Sequence, residues 1–399
     1  MNPHLIDSVI QEKKPYISFM KHYLLQVWIW THVFVCQAQI TIQGSFVHGG
    51  ITRTYSFYVP ASYSPGTPVP LVFNLHGLGT DGAYQAQYRD FRPIADTANF
   101  IVVHPDGSTM LGQRFWNYGN VLGSTVDDVG FLEQLIDEIS ADYSINQQRI
   151  YCAGMSNGSF MAYYLACQSS RFAAIGTVTG SMSVAMYNSC SPDHPVPVLH
   201  IHGTADNTNP YAGTSTMKGV DETNQFWVNQ VSCAAVPVET VLPDIIASDN
   251  SMATRYLYSG GIGGRTVELF KVTGGGHTWP GSPVPGSSGN TCMDFDATRE
   301  IWRFFSRYDL QGVLEVPVNA FPVWDLNPNP STGIITVHWE GGNPEMELQV
   351  YDLYGKLVSR IRVMNGLPVD LVHLQAGSYQ VRLFGDGVLA SKKKLVIAR

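Results

Sequence analysis

A serine between two glycines, at the junction of a strand and a helix, constrains this chain more than any other feature. Residues 149–153 form an apolar, β-rich run that leads into Gly154-Met155-Ser156-Asn157-Gly158. Residues 160–166 contain neither glycine nor proline and predict a buried helix. A strand, a sharp turn and a helix around Gly-x-Ser-x-Gly are typical of a nucleophile elbow, where glycines leave room for the tight backbone. The pattern predicts Ser156 as a nucleophile at a helix amino end, where local dipoles favour negative charge.

Length and charge limit the class of protein. The chain has 399 residues, enough for two domains, and 44% of them are hydrophobic, which supports a large core. Only 14% are charged and the net charge is −8, without a basic cluster interleaved with aromatic residues. Nucleic acid is therefore excluded as an expected partner.

The first 38 residues carry an export pattern. Lys21 precedes an apolar run over residues 23–35, which is followed by Cys36-Gln37-Ala38. This order predicts a secretory signal peptide cleaved near Ala38, and the apolar run is too short to span a bilayer. The true start, Met1 or Met20, stays open, as does the alternative that Cys36 is a lipoprotein cysteine.

Export implies an oxidising compartment, in which cysteines form disulfides. Five cysteines lie outside the predicted signal peptide. Cys152 precedes the nucleophile and is expected to be a buried thiol. Cys167 and Cys190 are predicted to pair, which leaves Cys233 and Cys292 as the second couple, although sequence alone does not fix connectivity.

The order of patterns predicts an α/β fold followed by a smaller β domain. Buried strands at 69–75, 100–103, 196–202 and 267–272 alternate with helices, which predicts a mostly parallel sheet with an edge hairpin over 40–60. Ligands of such a sheet bind beyond the carboxyl ends of its strands. The predicted domains are an N-terminal extension and signal peptide over 1–38, an α/β domain over 39–310, a linker over 311–324 and a small all-β sandwich over 325–399.

A serine nucleophile requires a base, an orienting acid and an oxyanion hole. After a nucleophile elbow of this kind the acid and then the histidine follow the serine along the chain. Asp206 comes just after the strand ending at His202, and His277 lies in a glycine-rich loop after another buried strand. Asp206 is the predicted orienting acid, with Asp221 and Asp244 as alternatives. His277 is the predicted general base.

Several further residues are candidates for the same site. The backbone N–H groups of Asn157 and Leu78 are the expected oxyanion hole, and His76 is expected to fix the loop that carries Leu78. Trp116, Tyr211 and Trp279 are candidate substrate-binding residues, and Asn117 lies in the same group of loops. His200 and His202 alternate in one strand without a third ligand at metal spacing, so they are expected to be hydrogen-bonded core histidines. No cofactor and no metal are predicted.

Six ordered motifs resemble secreted α/β-hydrolases of the polyhydroxybutyrate depolymerase-like group, close to the feruloyl esterases of carbohydrate esterase family 1. They are Leu75-His76-Gly77, His104-Pro105-Asp106-Gly107, Asp127-Asp128-Val129-Gly130-Phe131, Gly154-Met155-Ser156-Asn157-Gly158, His200-Ile201-His202-Gly203-Thr204-Ala205-Asp206 and Gly274-Gly275-Gly276-His277-Thr278-Trp279-Pro280-Gly281. The resemblance covers about residues 45–310 and implies the triad Ser156, Asp206 and His277. Some members carry a cysteine in the region matching residues 259–264, where this chain has none, which weakens the Cys233–Cys292 pairing.

The tail resembles the C-terminal sorting domains of the type IX secretion system. The matching pieces are Asn327-Pro328-Asn329-Pro330-Ser331-Thr332-Gly333, Asp352-Leu353-Tyr354-Gly355-Lys356, Gly377-Ser378-Tyr379 and Lys393-Lys394-Leu395-Val396-Ile397. The resemblance implies secretion machinery as a partner and an extracellular or outer-membrane surface location, with the tail cleaved or attached. A carbohydrate-binding or spacer sandwich is the alternative.

Together these patterns predict a secreted serine esterase acting through an acyl-enzyme. Its substrate is either a feruloyl or acetyl ester of plant polysaccharide or a polyhydroxyalkanoate-type polyester, and the family resemblance alone does not choose between them. The alternatives are a serine peptidase on the same fold and a non-catalytic surface-displayed binding protein. The oligomeric state is not predicted.

Overall fold

The computed structural model describes residues 39–284, 288–314, 324–339, 345–352, 356–385 and 388–398. The predicted signal peptide and most of the predicted linker lie outside the described residues. No helix within these ranges is long and apolar enough to cross a membrane.

The first part of the chain, up to Val313, contains fourteen strands and seven α-helices among its described residues. The strands are β1 (Ile40–His48), β2 (Ile51–Val59), β3 (Val69–Leu75), β4 (Ile101–Pro105), β5 (Ser108–Met110), β6 (Gln113–Phe115), β7 (Ile145–Met155), β8 (Ala174–Val178), β9 (Val198–Gly203), β10 (Val238–Val241), β11 (Met252–Tyr258), β12 (Val267–Thr273), β13 (Tyr308–Asp309) and β14 (Gly312–Val313). The helices are α1 (Gly82–Tyr88), α2 (Arg92–Ala98), α3 (Asp128–Asp142), α4 (Asn157–Gln168), α5 (Val184–Ser189), α6 (Val220–Val231) and α7 (Ala297–Phe305).

One ten-stranded sheet organises this region, in the spatial order β1-β2-β4-β3-β7-β8-β9-β12-β11-β10. Strands β4, β3, β7, β8, β9 and β12 run parallel to one another, and the outer strands are antiparallel. The predicted mostly parallel sheet is confirmed, and so is the edge hairpin, which is β1–β2. This is the sheet of an α/β-hydrolase, and its parallel strands bring the ends of β3, β7, β9 and β12 to one edge.

Apolar side chains alternate along the buried strands, so each face of the sheet has its own core. Phe73 of β3 belongs to the cluster that contacts α3, α4 and α6. Its neighbour Val72 belongs to the cluster that contacts α1, α2 and α7. Helices therefore cover both faces, as expected for a parallel sheet.

The cysteines follow this division into two faces. Cys167, in the last turn of α4, and Cys190, just after α5, form a disulfide, which confirms that prediction. Cys152 is a free, buried thiol whose pKa is raised by burial, also as predicted. The predicted Cys233–Cys292 bridge is wrong, because both thiols are free. Cys233 packs against the α6 side of the sheet and Cys292 is buried in the core on the opposite side.

The tail folds as two small antiparallel sheets around one apolar core. Its strands are β15 (Trp324–Asn327), β16 (Ile334–Trp339), β17 (Glu345–Tyr351), β18 (Leu357–Met364), β19 (Pro368–Asp370), β20 (Gly377–Gly385) and β21 (Val388–Ile397). One sheet has the order β15-β16-β19 and the other β18-β17-β20-β21. Core residues such as Trp324 and Val350 come from both sheets, as the predicted all-β sandwich requires. The exact limits of the two domains stay a prediction.

Candidate active site

Ser156 occupies a strained turn between β7 and α4. Its φ is 54°, in the left-handed region that bulky residues avoid, and its N–H donates to the Val178 carbonyl (2.9 Å). A Cβ atom on Gly154 would collide with the carbonyl oxygen of Gly158, and one on Gly158 would collide with that of Leu75. The strand, turn and helix of the predicted elbow are therefore present, and both glycines are sterically required.

Asp206 and His277 meet through a direct hydrogen bond. His277 Nδ1 lies 2.8 Å from Asp206 Oδ2, with the carboxylate side chain fully buried and the imidazole 10% exposed. Because a carboxylate only accepts hydrogen bonds, Nδ1 carries the proton, and Nε2 of the neutral ring keeps a free lone pair. A free Nε2 lone pair is what a general base requires.

The two residues reach each other because the loops that carry them are bonded together. Asp206 follows β9 and His277 follows β12, and these strands are neighbours in the sheet. The Ala205 N–H donates to the Gly275 carbonyl (2.9 Å), which holds the loop after β12 against the loop after β9. Ser156 follows β7 at the same sheet edge. Among the described residues no hydrogen bond links its Oγ to His277, and such bonds are often long before substrate binds.

The Asp206 carboxylate is held by more than the histidine. Its Oδ1 accepts the N–H groups of Thr208 and Asn209, both at 2.8 Å, and its Oδ2 lies 3.4 Å from His202 Nε2. His202 Nε2 also donates to the Asn209 carbonyl (2.8 Å), so this ring is fixed as one tautomer. The alternative acids do not take this place: Asp221 instead accepts from the Tyr211 hydroxyl (2.7 Å).

His200 and His202 form a buried pair. His200 Nε2 lies 3.2 Å from His202 Nδ1, which accepts because His202 already donates from its other nitrogen. Burial lowers the pKa of both rings, which therefore stay neutral at physiological pH. The prediction of hydrogen-bonded core histidines is confirmed.

His76 fixes the loop that follows β3. Its Nδ1 donates to the Gly77 carbonyl (2.7 Å) and its Nε2 accepts from the Gly107 N–H (2.9 Å). Burial lowers its pKa to about 4, so the neutral ring needed for both bonds persists at physiological pH. The structural role predicted for His76 is confirmed.

The same loop lies against Ser156. A Cβ on Gly77 would lie 3.5 Å from the Ser156 Cβ, which places Leu78 next to the elbow. Within the described ranges no protein group accepts from the Leu78 N–H, and Asn157 begins α4, where an N–H has no helical partner. Both N–H groups are therefore free to donate to an oxyanion.

Two of the candidate substrate-binding residues are not available to a substrate. Trp116 is 0% exposed, and its indole N–H donates to the His76 carbonyl (3.0 Å). Trp279 is 1% exposed, and its indole N–H donates to Thr298 Oγ1 (3.1 Å). The prediction that they line a cleft is wrong, because both rings serve as packing beneath the loops.

Tyr211, which lies next to His202, remains partly exposed. Its ring meets the His202 ring edge-on with 6.0 Å between centroids. Partial burial and the hydrogen bond to Asp221 raise the pKa of its hydroxyl, which stays protonated. Its role in substrate binding stays a prediction.

Two family models match the chain. Residues 53–211 match the model described as "Esterase PHB depolymerase", and residues 325–398 match "Secretion system C-terminal sorting domain". The region that carries the elbow is therefore similar in sequence to this family over residues 53–211.

Similar curated proteins carry esterase names. A bifunctional acetylxylan esterase/xylanase of Neocallimastix patriciarum is 27% identical over 287 residues, which cover 71% of this chain and 37% of that protein. Feruloyl esterase D of Neurospora crassa is 25% identical over 273 residues, or 65% of this chain and 83% of that protein. The chain thus spans well under half of the first of these relatives.

Among solved structures, an acetyl xylan esterase from Aspergillus awamori aligns with a TM-score of 0.47 at 13% identity, covering 66% of this chain and 99% of that one.

Ser159 is a residue of this elbow that sequence reasoning missed. Its buried hydroxyl lies 2.7 Å from the carbonyl oxygens of Gly154 and Val178 and 2.9 Å from the Val178 N–H. It thereby ties the elbow to strand β8. Nothing in the local sequence distinguishes this serine, because its partner strand is distant along the chain.

One group of residues has side-chain types that ligate metals. Asp249, Cys292 and Asp294 bring one ligand atom each to within 4.8 Å of one another. Asp294 Oδ1 already accepts the N–H groups of Ile245 (2.7 Å) and Ile246 (3.0 Å). These bonds give the cluster a structural role in holding a loop.

Proposed function

We propose that the chain is a secreted serine esterase whose catalytic residues are Ser156, His277 and Asp206. The observation that carries the proposal is the buried His277–Asp206 hydrogen bond at the sheet edge where the strained Ser156 turn also lies. An acid that orients an imidazole beside a serine on a nucleophile elbow is the arrangement that acyl transfer requires. The esterase names of the similar proteins support the same reaction.

The reaction follows from the roles of these groups. His277 Nε2 takes the proton of Ser156 as the hydroxyl oxygen attacks the ester carbonyl carbon. The N–H groups of Asn157 and Leu78 stabilise the oxyanion of the tetrahedral intermediate, each worth about 3 kcal/mol in comparable sites. His277 then protonates the leaving alcohol, and Asp206 stabilises the imidazolium that exists between these steps. A water activated by His277 hydrolyses the acyl-enzyme.

The substrate is an ester of a polymer, either a feruloyl or acetyl group on plant polysaccharide or a polyhydroxyalkanoate-type polyester. The tail directs the enzyme through the type IX secretion machinery to the cell surface or the medium. A chain shortened at residue 324 is expected to stay inside the cell envelope while the full chain reaches the surface or the medium. Cell fractionation with an esterase assay measures this difference.

The catalytic assignment is tested with the full chain and the Ser156→Ala variant. Substrates are p-nitrophenyl acetate and butyrate, methyl ferulate and a polyhydroxybutyrate film. Loss of the nucleophile is expected to lower kcat on the order of a millionfold, as in other serine hydrolases. Ser170→Ala, at an exposed serine, is the matched control and should retain activity. Esterase activity that survives in Ser156→Ala would sink the assignment, and faster cleavage of matched anilides than of esters would favour a peptidase.

A further inference from the structure

A cleft lies against the second half of α4. It has a volume of about 300 Å³ and opens between the loop over residues 117–126, the start of α3 and the second half of α4. This is near the lower limit of small-molecule sites, roughly 300–1,000 Å³, and suits a single ring. None of the catalytic candidates lines it.

The loop that forms one wall is rigid. The Asn117 side chain donates to the carbonyl groups of Ser124 (3.2 Å) and Val126 (2.8 Å) and accepts from the Val121 N–H (2.9 Å). The Asn117 N–H donates to Asp128 Oδ2 (2.7 Å). The buried side-chain amide of Asn117 therefore holds the loop at three other residues through hydrogen bonds. For this reason the cleft is formed before any ligand binds.

Three polar side chains in the lining have no hydrogen-bond partner within the part of the chain that the structure describes. The Tyr164 hydroxyl and the amides of Asn120 and Gln168 make no hydrogen bond with another described residue, whereas the neighbouring Tyr163 is bonded to Thr177 (3.0 Å). Gly119 lies against the Tyr164 ring, since a Cβ there would sit 3.5 Å from Cε2. The absence of that side chain leaves the edge of the ring accessible.

The charges of the lining exclude several ligand classes. Asp127, with 61% of its side chain exposed, contributes a carboxylate that also accepts from the Gly130 N–H (2.9 Å) and lies 3.0 Å from His48 Nε2. The carboxylate of Asp128 is buried and paired with Arg53 (2.6 Å). No lysine or arginine lines the cleft. An anion therefore finds no positively charged partner in the lining. Amides, a phenol and a carboxylate together offer both donors and acceptors, which suits a neutral ligand rich in hydroxyl groups, and an aromatic ring packs on the apolar face of such a ligand.

The cleft is connected to the nucleophile but is remote from it. Tyr164 and Gln168 follow Ser156 on the same helix by 8 and 12 residues, or about 12 and 18 Å at 1.5 Å per residue. Trp116 directly precedes the loop over residues 117–126, and its N–H donates to the Asn157 side chain (2.6 Å). Only a polymer can occupy the cleft and present an ester to Ser156 at the same time.

We infer that this cleft is a binding subsite for a neutral sugar unit of a polysaccharide that carries the scissile ester several units away. The inference rests on the proposed esterase function and adds to it the choice of a polysaccharide and the site that binds one of its sugar units. Tyr164 packs against the sugar ring, and Asn120, Gln168 and Asp127 bind its hydroxyl groups.

The test compares a polymeric and a small ester of the same acid, feruloylated arabinoxylan and methyl ferulate, using the full chain. In Tyr164→Ala/Gln168→Ala the ratio of kcat/KM for the polymer to kcat/KM for methyl ferulate is expected to fall about tenfold, through KM. Asn120→Gly, which suits that residue's positive φ of 59°, should lower the ratio in the same direction and guards against misfolding of the double variant. Gln148→Ala removes an exposed amide elsewhere and should leave the ratio unchanged.

Two results would overturn the inference. The first is an unchanged ratio in folded Tyr164→Ala/Gln168→Ala and in Asn120→Gly. The second is a wild-type chain that hydrolyses methyl ferulate and a polyhydroxybutyrate film but not the polysaccharide ester. Either leaves the esterase assignment intact, whereas activity in Ser156→Ala would overturn the proposed function and this inference with it.

Discussion

The side chain of Asn157 is bonded twice to the backbone of Trp116. Its Oδ1 accepts from the Trp116 N–H (2.6 Å) and its Nδ2 donates to the Trp116 carbonyl (3.2 Å). Asn157 is the first residue of α4, and its own N–H is a proposed oxyanion donor. One side chain therefore joins the helix that begins at the elbow to the loop over residues 117–126, which borders the proposed sugar-binding cleft.

Removing this amide should lower both stability and turnover. Asn157→Ala leaves two buried backbone groups of Trp116 without partners, at a cost of about 1–3 kcal/mol. The loop is then free to shift and the oxyanion donor loses its support, so kcat should fall more than KM rises. Urea unfolding and steady-state kinetics on p-nitrophenyl acetate measure the two effects. Asn229→Ala, at an exposed amide of α6, should change neither, and a stable Asn157→Ala enzyme with normal kcat would refute this role.

The proposed role of Asp206 as the orienting acid can be tested without disturbing the packing. Asp206→Asn keeps the size of the side chain but replaces an acceptor with an amide that can donate to His277. The imidazole then loses its fixed tautomer, and kcat should fall about 10⁴-fold, as it does when the acid of another serine hydrolase is changed in this way. Asp244→Asn alters the exposed alternative acid and should retain full activity. The reverse result would transfer the role to Asp244.

A buried carboxylate on β12, that of Glu268, should make the free energy of unfolding depend on pH. Glu268 is fully buried and accepts from Arg255 (2.8 Å), Arg303 (2.5 Å) and Arg307 (3.0 Å). Burial alone would raise its pKa, but the charges of Arg303 and Arg255 outweigh burial and lower it. Because the folded pKa lies below the unfolded value of about 4.3, the stabilisation is complete above that pH and is lost as the pH falls through the folded pKa.

Glu268→Gln should therefore destabilise the chain at neutral pH and much less in acid. It leaves three arginines around an uncharged group, for which about 3 kcal/mol is expected. Urea unfolding at pH 7 and pH 3 measures the change. Glu300→Gln removes a partly exposed partner of Arg303 and should cost less than about 1 kcal/mol at either pH. Equal destabilisation by Glu268→Gln at both pH values would mean that packing, not charge, explains its effect.

The sequence predicted the parts of the site that depend on local pattern. The elbow at Ser156 and the placement of Asp206 and His277 follow from buried strands with short loops, because parallel strands end at one edge. The side-chain environments could not be predicted, because they arise between distant segments. Trp116 and Trp279 have the composition of a binding surface, yet they are buried by contacts with His76 and Thr298.

The wrong prediction of a disulfide between Cys233 and Cys292 has the same origin. Which face of the sheet a cysteine joins depends on the three-dimensional path of the chain, and Cys233 and Cys292 end on opposite faces. The three arginines around Glu268 likewise come from β11 and from α7 and its end. Spacing along the chain carries no sign of such a cluster.

A leucine at the tip of a hairpin should be replaceable with a gain in stability. Strands β5 and β6 are joined by Leu111 and Gly112, and both have positive φ, at 52° and 78°. A hairpin turn of this kind favours Asn-Gly, because a leucine in the left-handed region costs about 1–2 kcal/mol. The Leu111 side chain is 90% exposed and regains nothing through burial.

Leu111→Asn is therefore expected to raise the free energy of unfolding by about 1 kcal/mol, because asparagine tolerates this conformation. A higher urea midpoint with an unchanged m value measures the gain. Leu111→Ser removes the same apolar surface without favouring the left-handed region, so it should gain less. Leu122→Asn provides a second test, since Leu122 is 79% exposed, has a φ of 48° and also precedes a glycine. If Leu111→Ser stabilises as much as Leu111→Asn, the exposed apolar side chain of Leu111, and not its strained backbone, is what destabilises this turn.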